Sequence, residues 1–185
     1  MREWKEKYGS MWHYDQLATI YDVHYVGEQN AKIENVLKSL KFSSNELVLD
    51  LGCGTGFLFP HIEKRLGFLV GLDVSRNALR QAKNRTKNRS NLELVCADAD
   101  KTPFPNHIFD KIFAITILQN MPQPTKTIKE MKRTGKPQAI FALTGLKKKF
   151  TPDSFVDLLD SVQLRVLTLN NDQRLKGVVA VCTNR

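Results

Sequence analysis

One short segment of this sequence combines an acid with closely spaced glycines, as a ligand-binding turn would. Within LVLDLGCGTGF (47–57) these residues are Asp50, Gly52, Gly54 and Gly56. Glycines between a strand and a helix let a ligand approach the backbone closely. The dinucleotide pattern G-x-G-x-x-G/A would need a small residue where this chain has Phe57. An acid beside the loop would repel a pyrophosphate, whereas it would attract a cationic amino group.

Two further acids follow apolar segments that have the pattern of buried strands. Asp73 ends FLVGLD (68–73), and Asp98 ends LELVCAD (92–98). Taken singly, each of the three acids could cap a turn or a helix, or lie in a surface loop. The carboxyl ends of parallel strands meet at one edge of an open α/β sheet, where such sheets bind ligands. Their joint placement therefore predicts a single ligand site that contains Asp50, Asp73 and Asp98.

Short apolar strands alternate with helical patterns along most of the chain. The predicted strands are 47–51, 68–73, 92–98, 109–116, 138–145, 164–170 and 178–183. The predicted helices between them are 57–66, 75–88, 124–133 and 152–162. This alternation predicts a Rossmann-like α/β fold, with a seven-stranded, mostly parallel sheet and helices on both faces. Only a turn joins the last two strands, which predicts a C-terminal antiparallel hairpin.

The N-terminal part of the chain has helical rather than strand-like spacing. Apolar and aromatic residues recur at helical intervals over 11–26 and again over 28–40. The length favours one domain over 1–185, with a helical cap at 1–42 and the α/β core at 43–185. We expect the cap to lie over the ligand site.

The amino-acid composition argues against a membrane-spanning or secreted protein and against a metal site. No apolar stretch approaches the roughly 20 residues of a membrane helix, and the first residues have no signal-peptide core. The cysteines are few and far apart, without a C-x-x-C pair, which gives no support to a metal site. They are Cys53, Cys96 and Cys182. We therefore expect a cytoplasmic protein that binds no metal.

These features together resemble the class I S-adenosylmethionine-dependent methyltransferases, of the ubiquinone-biosynthesis type. Asp50 to Gly56 resembles the first motif of that family. The resemblance implies S-adenosylmethionine as the cofactor and implies that Asp73 binds both ribose hydroxyls. It also implies that Asp98 accepts a hydrogen bond from the adenine amino group, with the Ala99 amide nearby.

The N-terminal cap contributes to the same resemblance. YDQLATIYD (14–22) is similar to a Y-D-x-x-A-x-x-Y-D segment of that family, in which a tyrosine closes over the cofactor carboxylate. Residues after the fourth strand lie near the transferred methyl in that family. The further cofactor contacts implied for this chain are therefore Tyr21, Val74 and Thr116.

The methyl acceptor must be inferred from the segment after the fourth strand. Many amino-group methyltransferases have Asp/Asn/Ser-Pro-Pro-aromatic there, and this chain has LQNMP (118–122). Gln119 and Asn120 are the candidate catalytic residues, because their side-chain oxygens can accept from an amine. Asn120 could instead cap the next helix. No aromatic follows, so base stacking would require Tyr21, Tyr25, Phe104 or Phe150.

Methylation of pyrimidine C5 needs a cysteine nucleophile near the fourth or the sixth strand, and neither 113–124 nor 142–150 contains a cysteine. Thiol-based arsenic methylation loses support for the same reason.

The charge of the chain suggests a polyanionic partner. There are 28 Lys and Arg against 19 Asp and Glu, a net charge of +9. Basic residues cluster at 80–89 and 126–149, either as a nucleic-acid surface or as a solvated one. Beside the predicted site, a loop supplies candidate phosphate and stacking contacts. These are Lys147, Lys148, Lys149 and Phe150, with Tyr25 as a further candidate substrate contact.

Three functions remain open at this point. The leading hypothesis is methylation of ribosomal or transfer RNA at an exocyclic base nitrogen. LQNMP and TGLKKKFT resemble small archaeal ribosomal RNA methyltransferases, which implies cytidine N4 as one target. The alternatives are a quinone or metabolite methyltransferase and a non-catalytic subunit of the same fold.

Overall fold

The computed structural model describes residues 26–86 and 89–185, together with Gly9. The helices are α1 (26–37), α2 (Phe59–Ile62), α3 (Arg76–Arg85), α4 (Pro124–Thr134) and α5 (Pro152–Ser161). The strands are β1 (Leu47–Leu51), β2 (Phe68–Asp73), β3 (Leu92–Cys96), β4 (Phe109–Ala114), β5 (Gly135–Leu146), β6 (Leu164–Asn170) and β7 (Gly177–Asn184). A short 3₁₀ turn, Leu118–Asn120, follows β4.

All seven strands form one sheet in the order β3-β2-β1-β4-β5-β7-β6. The pairs among β1 to β5 are parallel, whereas β7 pairs antiparallel with both β5 and β6. The predicted mostly parallel sheet with a C-terminal antiparallel hairpin is therefore confirmed. The strand order reverses between β1 and β4, which is where an open α/β sheet has its ligand crevice.

The core has two layers, one on each face of the sheet. On one face, Ile128 of α4 and Phe155 of α5 pack against alternate strand residues such as Leu49. On the other face, Ile33 of α1 and Phe59 of α2 belong to the second cluster. Successive side chains of a strand point to opposite faces, so both faces of a buried sheet need helices. The helices on both faces are confirmed by these two clusters.

Several predicted elements, including β3 and α3, are shorter in the structure than the pattern suggested, and two others have a clear local cause. The helix predicted over 57–66 is reduced to α2, since Pro60 is accommodated only in the first turn of a helix. The strand predicted to reach 116 ends at Ala114, because Thr116 adopts a left-handed backbone conformation with φ of 63°. That conformation cannot continue a strand.

The predicted cap is described only in part. Residues 26–37 are helical, close to the predicted helix 28–40, whereas the helix predicted over 11–26 lies outside the described residues apart from Val26. Among the described helices, none is long and apolar enough to cross a membrane.

Candidate cofactor site

A cavity of about 190 Å³ opens at the carboxyl ends of β1, β2, β3 and β4. Three acids from different strand ends line it: Asp50, Asp73 and Asp98. Other predicted residues in its wall are Gly52, Gly54, Val74, Ala99, Thr116 and Asn120. The alternation of strands and helices thus brings the predicted residues of the β1, β2 and β3 ends together, as expected for an α/β sheet.

The glycine loop is held open by its backbone geometry. Gly52, Gly54 and Gly56 all have positive φ, of 74°, 53° and 81°. A Cβ on Gly52 would lie 2.5 Å from Ile117 Cδ1, and a Cβ on Gly56 would lie 2.6 Å from the Phe59 ring. By contrast, no atom of the described residues lies within 4 Å of a Cβ built on Gly54. Gly54 therefore faces open space in the cavity wall, while Gly56 serves the packing behind it.

Asp50 is the buried carboxyl group of the site, at 3% exposure. Burial, and second to it the negative charge of Asp73, raise the pKa of its carboxyl to about 8. A carboxyl in this setting is ready to ionise when a cation enters the cavity.

Asp73 organises the loop as well as lining the cavity. Gly54 N donates to Asp73 Oδ2 at 2.8 Å, and Ser75 N donates to Asp73 Oδ1 at 2.8 Å. A carboxylate has about four acceptor positions, so accepting from two amides is compatible with accepting from hydroxyls too. Ser75 in turn caps α3 by accepting from Ala78 N at 3.0 Å.

Asp98 is fixed by its own turn. Asp100 N donates to Asp98 Oδ1 at 3.0 Å, and Lys101 N donates to the Asp98 carbonyl at 3.1 Å. Ala97 and Ala99 flank it in the cavity wall. The combination of a turn-held carboxylate with small apolar neighbours suits a flat heterocycle that has an amino edge.

Thr116 has every polar group of its main chain and side chain in a hydrogen bond. Its N donates to Thr144 Oγ1 at 2.8 Å, and its Oγ1 donates to Gln29 Oε1 at 2.9 Å. Its carbonyl accepts from Gln119 Nε2 at 2.7 Å and from Asn120 Nδ2 at 3.2 Å. A positive φ is a genuine outlier for a β-branched residue, and such outliers cluster at functional sites.

The two candidate catalytic residues therefore differ in position. Asn120 lies in the cavity wall, whereas Gln119 does not line the part of the cavity that the described residues form. Gln119 Oε1 is buried and accepts no hydrogen bond from the described residues. The catalytic role of both residues stays a prediction.

The predicted substrate loop lies outside the described cavity wall. Lys148 and Lys149 are exposed. Lys147 Nζ donates to the Asp172 carbonyl at 2.7 Å, so that side chain fastens the turn between β6 and β7. Phe150 packs against Phe155, with ring centroids 5.5 Å apart. The substrate contacts of this loop stay predictions.

Cys53 and Cys182 are buried, whereas Cys96 is exposed. Cys53 lines the cavity, but burial, with the charges of Asp50 and Asp73 added, raises the pKa of its thiol well above the usual range. Burial also raises the pKa of the Cys182 thiol to about 12. Since the thiolate is the nucleophile, neither residue is suited to covalent catalysis. Among the described residues, no group of His, Cys, Asp and Glu side chains could hold a metal ion.

Two predicted site residues lie in the part of the chain that is not described, and two residues of the cavity wall were not predicted from the sequence. Tyr21 and Tyr25 lie outside the described residues. Gln29 and Ile33 line the cavity from α1, although no motif pointed to them. Their four-residue spacing puts them on one helix face, and this is the sequence signal that could have identified them.

The cavity fits S-adenosylmethionine. Gly54 leaves open space in the wall, buried Asp50 suits an ammonium or sulfonium charge, and Asp73 suits the ribose hydroxyls. The small residues around Asp98 suit the adenine. These are the residues that would hold the cofactor.

Comparisons with known proteins agree with this fit. A family profile for a methyltransferase domain matches residues 49–143. The demethylmenaquinone methyltransferase of Staphylococcus carnosus is 34% identical over 129 residues, which are 67% of this chain and 52% of that protein. The malonyl-acyl-carrier-protein O-methyltransferase of a Marinomonas species is 30% identical over 142 residues, 76% of this chain and 52% of that protein. This chain thus spans about half the length of these curated relatives.

A solved structure shows the same fold. The S-adenosylmethionine-dependent methyltransferase from Aquifex aeolicus superposes with a TM-score of 0.70 at 25% identity, covering 80% of this chain and 88% of that one. The matched family segment contains Asp50, Asp73, Asp98 and Asn120. The chain therefore belongs to the class I S-adenosylmethionine-dependent methyltransferases, and S-adenosylmethionine is its cofactor.

Proposed function

We propose that this protein transfers a methyl group from S-adenosylmethionine to a base nitrogen of RNA, with the exocyclic N4 of cytidine as the leading acceptor. The observation that carries the proposal is the position of Asn120 in the same cavity wall as Asp50, Asp73 and Asp98. An amide side chain there can bind an N–H of an incoming amine beside the cofactor.

When bound, the cofactor supplies an electrophilic sulfonium methyl, so the protein needs to position the acceptor and exclude water. The nitrogen lone pair forms the new C–N bond while the C–S electron pair returns to sulfur. The product is a methylated amine and a thioether, and the amine proton leaves to solvent. Asp50, Asp73 and Asp98 bind the cofactor, and Thr116 and Asn120 shape the acceptor end.

The positive charge of the chain supports RNA as the acceptor, although some cations of the basic cluster 126–149 are engaged in contacts within the protein. In 126–149, several cations stabilise the fold instead: Lys132 donates to the Val162 carbonyl at 2.7 Å, and Lys136 pairs with Asp110 at 2.6 Å. The exposed cations of the loop 147–150 and of α3 remain as candidate phosphate contacts. They are Arg76, Arg80, Lys83, Arg85, Lys148 and Lys149.

A second candidate is a small-molecule acceptor, and the names of the relatives favour it. They are described as acting on demethylmenaquinone and on malonyl-acyl-carrier protein. For such an acceptor, an oxygen or carbon nucleophile would take the place of the amine at the same end of the cavity.

The fate of a labelled methyl group separates the two candidates. The protein is incubated with methyl-labelled S-adenosylmethionine and either total RNA, ribosomal subunits or a small-molecule extract. We expect label in RNA and, after digestion, in a cytidine nucleoside. Label in the small-molecule extract alone would support the second candidate, and no transfer to any fraction would contradict methyl transfer by this chain.

A further inference from the structure

Helix α1 reaches the acceptor end of the cavity through a buried lysine that no motif identified. Lys32 is 3% exposed, and its Nζ lies 3.5 Å from Thr116 Oγ1 and 3.3 Å from Glu28 Oε1. One turn earlier in α1, Gln29 Oε1 accepts a hydrogen bond from Thr116 Oγ1 at 2.9 Å. Two side chains of α1 therefore converge on one hydroxyl group.

Thr116 connects α1 to the predicted catalytic residues, Gln119 and Asn120. Its strained left-handed backbone persists only if surrounding contacts compensate the strain. In this conformation its carbonyl accepts from both Gln119 and Asn120. A change in the position of Thr116 would therefore change the orientation of both side chains.

Glu28 connects the same helix to the segment between β6 and β7. Lys176 N donates to Glu28 Oε1 at 2.8 Å, the carboxylate that also pairs with Lys32. Lys147 N donates to the Lys176 carbonyl at 2.9 Å. Contacts thus run without interruption from the predicted substrate loop through α1 to Thr116.

Stability does not explain why a charge is buried at this point. Burial lowers the pKa of Lys32, and the attraction of Glu28 offsets this only in part, while the positive charge of Lys176 lowers the pKa further. In the described part of the chain, the charged groups that face Lys32 are Glu28 on its own helix and Lys176 from the segment before β7. A lysine with a lowered folded-state pKa makes the fold less stable at neutral pH than above the folded pKa. The positive charge of Lys32 must therefore have a role other than stabilising the fold.

We propose that Lys32 is a positioning residue for methyl transfer, which holds Thr116, and through it Gln119 and Asn120, in the arrangement that the acceptor requires. This inference rests on the proposed methyl transfer. Lys32 does not line the described cavity wall, so its effect passes through Thr116.

Substitution of Lys32→Met, which keeps the length of the side chain without its charge, tests this role. We expect kcat to fall about tenfold or more, since small misplacements at a reacting centre are costly. The Kd for S-adenosylmethionine should stay within about twofold, and the thermal midpoint should not fall. Lys38→Met, at an exposed lysine just beyond α1, is the matched control and should leave all three unchanged.

Two readouts distinguish positioning from a general structural effect. Hydrogen exchange of the amides at 116–121 should accelerate in Lys32→Met but not in Lys38→Met, while β1 and β2 stay protected. In the wild type, kcat should fall on the alkaline side below pH 10.5, because deprotonated Lys32 loses its ion pair with Glu28. Lys32→Arg should remove that alkaline decline, since a guanidinium stays charged.

Unchanged exchange at 116–121 in Lys32→Met would overturn the inference, as would a kcat within twofold of the wild type. The exchange experiment needs no turnover. If the wild-type protein methylates nothing, the proposed function fails, whereas the coupling of Lys32 to Thr116 is still decided.

Discussion

Asp50 and Asp73 line the same cavity, and the negative charge of Asp73 helps to raise the pKa of the Asp50 carboxyl. Burial is the larger cause, and the two together raise this pKa to about 8. A pKa of about 8 means that, before a cofactor binds, the protonated form of Asp50 predominates at neutral pH. A cationic cofactor favours the ionised form, so binding and proton release are linked.

We expect S-adenosylmethionine binding at pH 7 to release about one proton from Asp50. Calorimetry in buffers of different ionisation enthalpy measures this number directly. Asp50→Asn should abolish the release and weaken binding about tenfold or more. Equal proton release by the wild type and Asp50→Asn would contradict the role assigned to this acid.

The same shift predicts how stability depends on pH. Between the unfolded value of 3.8 and about 8, the folded protein holds a proton on Asp50 that the unfolded chain has lost. Asp50 should therefore lower the free energy of unfolding as pH rises from 4 to 8, by at most about 1.4 kcal/mol per pH unit. Denaturant unfolding of the wild type and Asp50→Asn, compared across this range, isolates the effect of Asp50.

Asp73→Ala should impair both cofactor binding and the glycine loop. The substitution removes acceptors for the Gly54 and Ser75 amides, which should cost about 1–3 kcal/mol of stability. Asp110→Ala is the control, because Asp110 also accepts a backbone amide, that of Leu47 at 2.9 Å, but at the opposite edge of the sheet. Only Asp73→Ala should weaken S-adenosylmethionine binding. Equal affinities of the two variants would argue against Asp73 as a cofactor residue.

Alanine at two glycines should separate binding from folding. At Gly54 the added Cβ meets no atom, so we expect about 1–2 kcal/mol of backbone strain and a clear loss of cofactor affinity. At Gly52 the Cβ would meet Ile117 Cδ1 at 2.5 Å, so the loss of stability should be larger. Thermal unfolding and calorimetry on both variants test this order.

If RNA is the acceptor, the joint change Lys148→Ala and Lys149→Ala should weaken RNA binding and reduce its salt dependence. Two lost phosphate contacts correspond to about 1.4 in the slope of log affinity against log salt for a single strand. Exposed Lys41 and Lys64, which lie outside both basic clusters, provide the control when they are changed together to Ala. A slope that is the same in both double variants would exclude the loop as a phosphate contact.

Much of the fold followed from local patterns in the sequence. Apolar runs predicted β1 and β2 with the bounds they have, because a buried strand is specified by its own residues. The mostly exposed strand β6 also has its predicted bounds. Asp73 and Asp98 could be placed near Asp50 because parallel strands bring their carboxyl ends to one edge.

The acceptor end could not be derived in the same way. Thr116 contacts Gln29 across 87 positions, and local periodicity contains no information about such a pair. Likewise, the left-handed backbone at Thr116 contradicts the preference of a β-branched residue, so the strand was predicted too long. Tertiary contacts decided both features.

The antiparallel direction of β7 has a practical consequence for measurements on surfaces. Because β7 runs against β5, it ends where the parallel strands begin, and Asn184 Nδ2 donates to the Pro137 carbonyl there at 3.2 Å. A dye or a linker attached at the exposed side chain of Arg185 would thus lie on the side of the sheet opposite Asp50 and Asp73. Protein immobilised through this residue would turn the carboxyl ends of β1 and β2 toward the solution, which is the orientation that titrations with cofactor or RNA on a chip require.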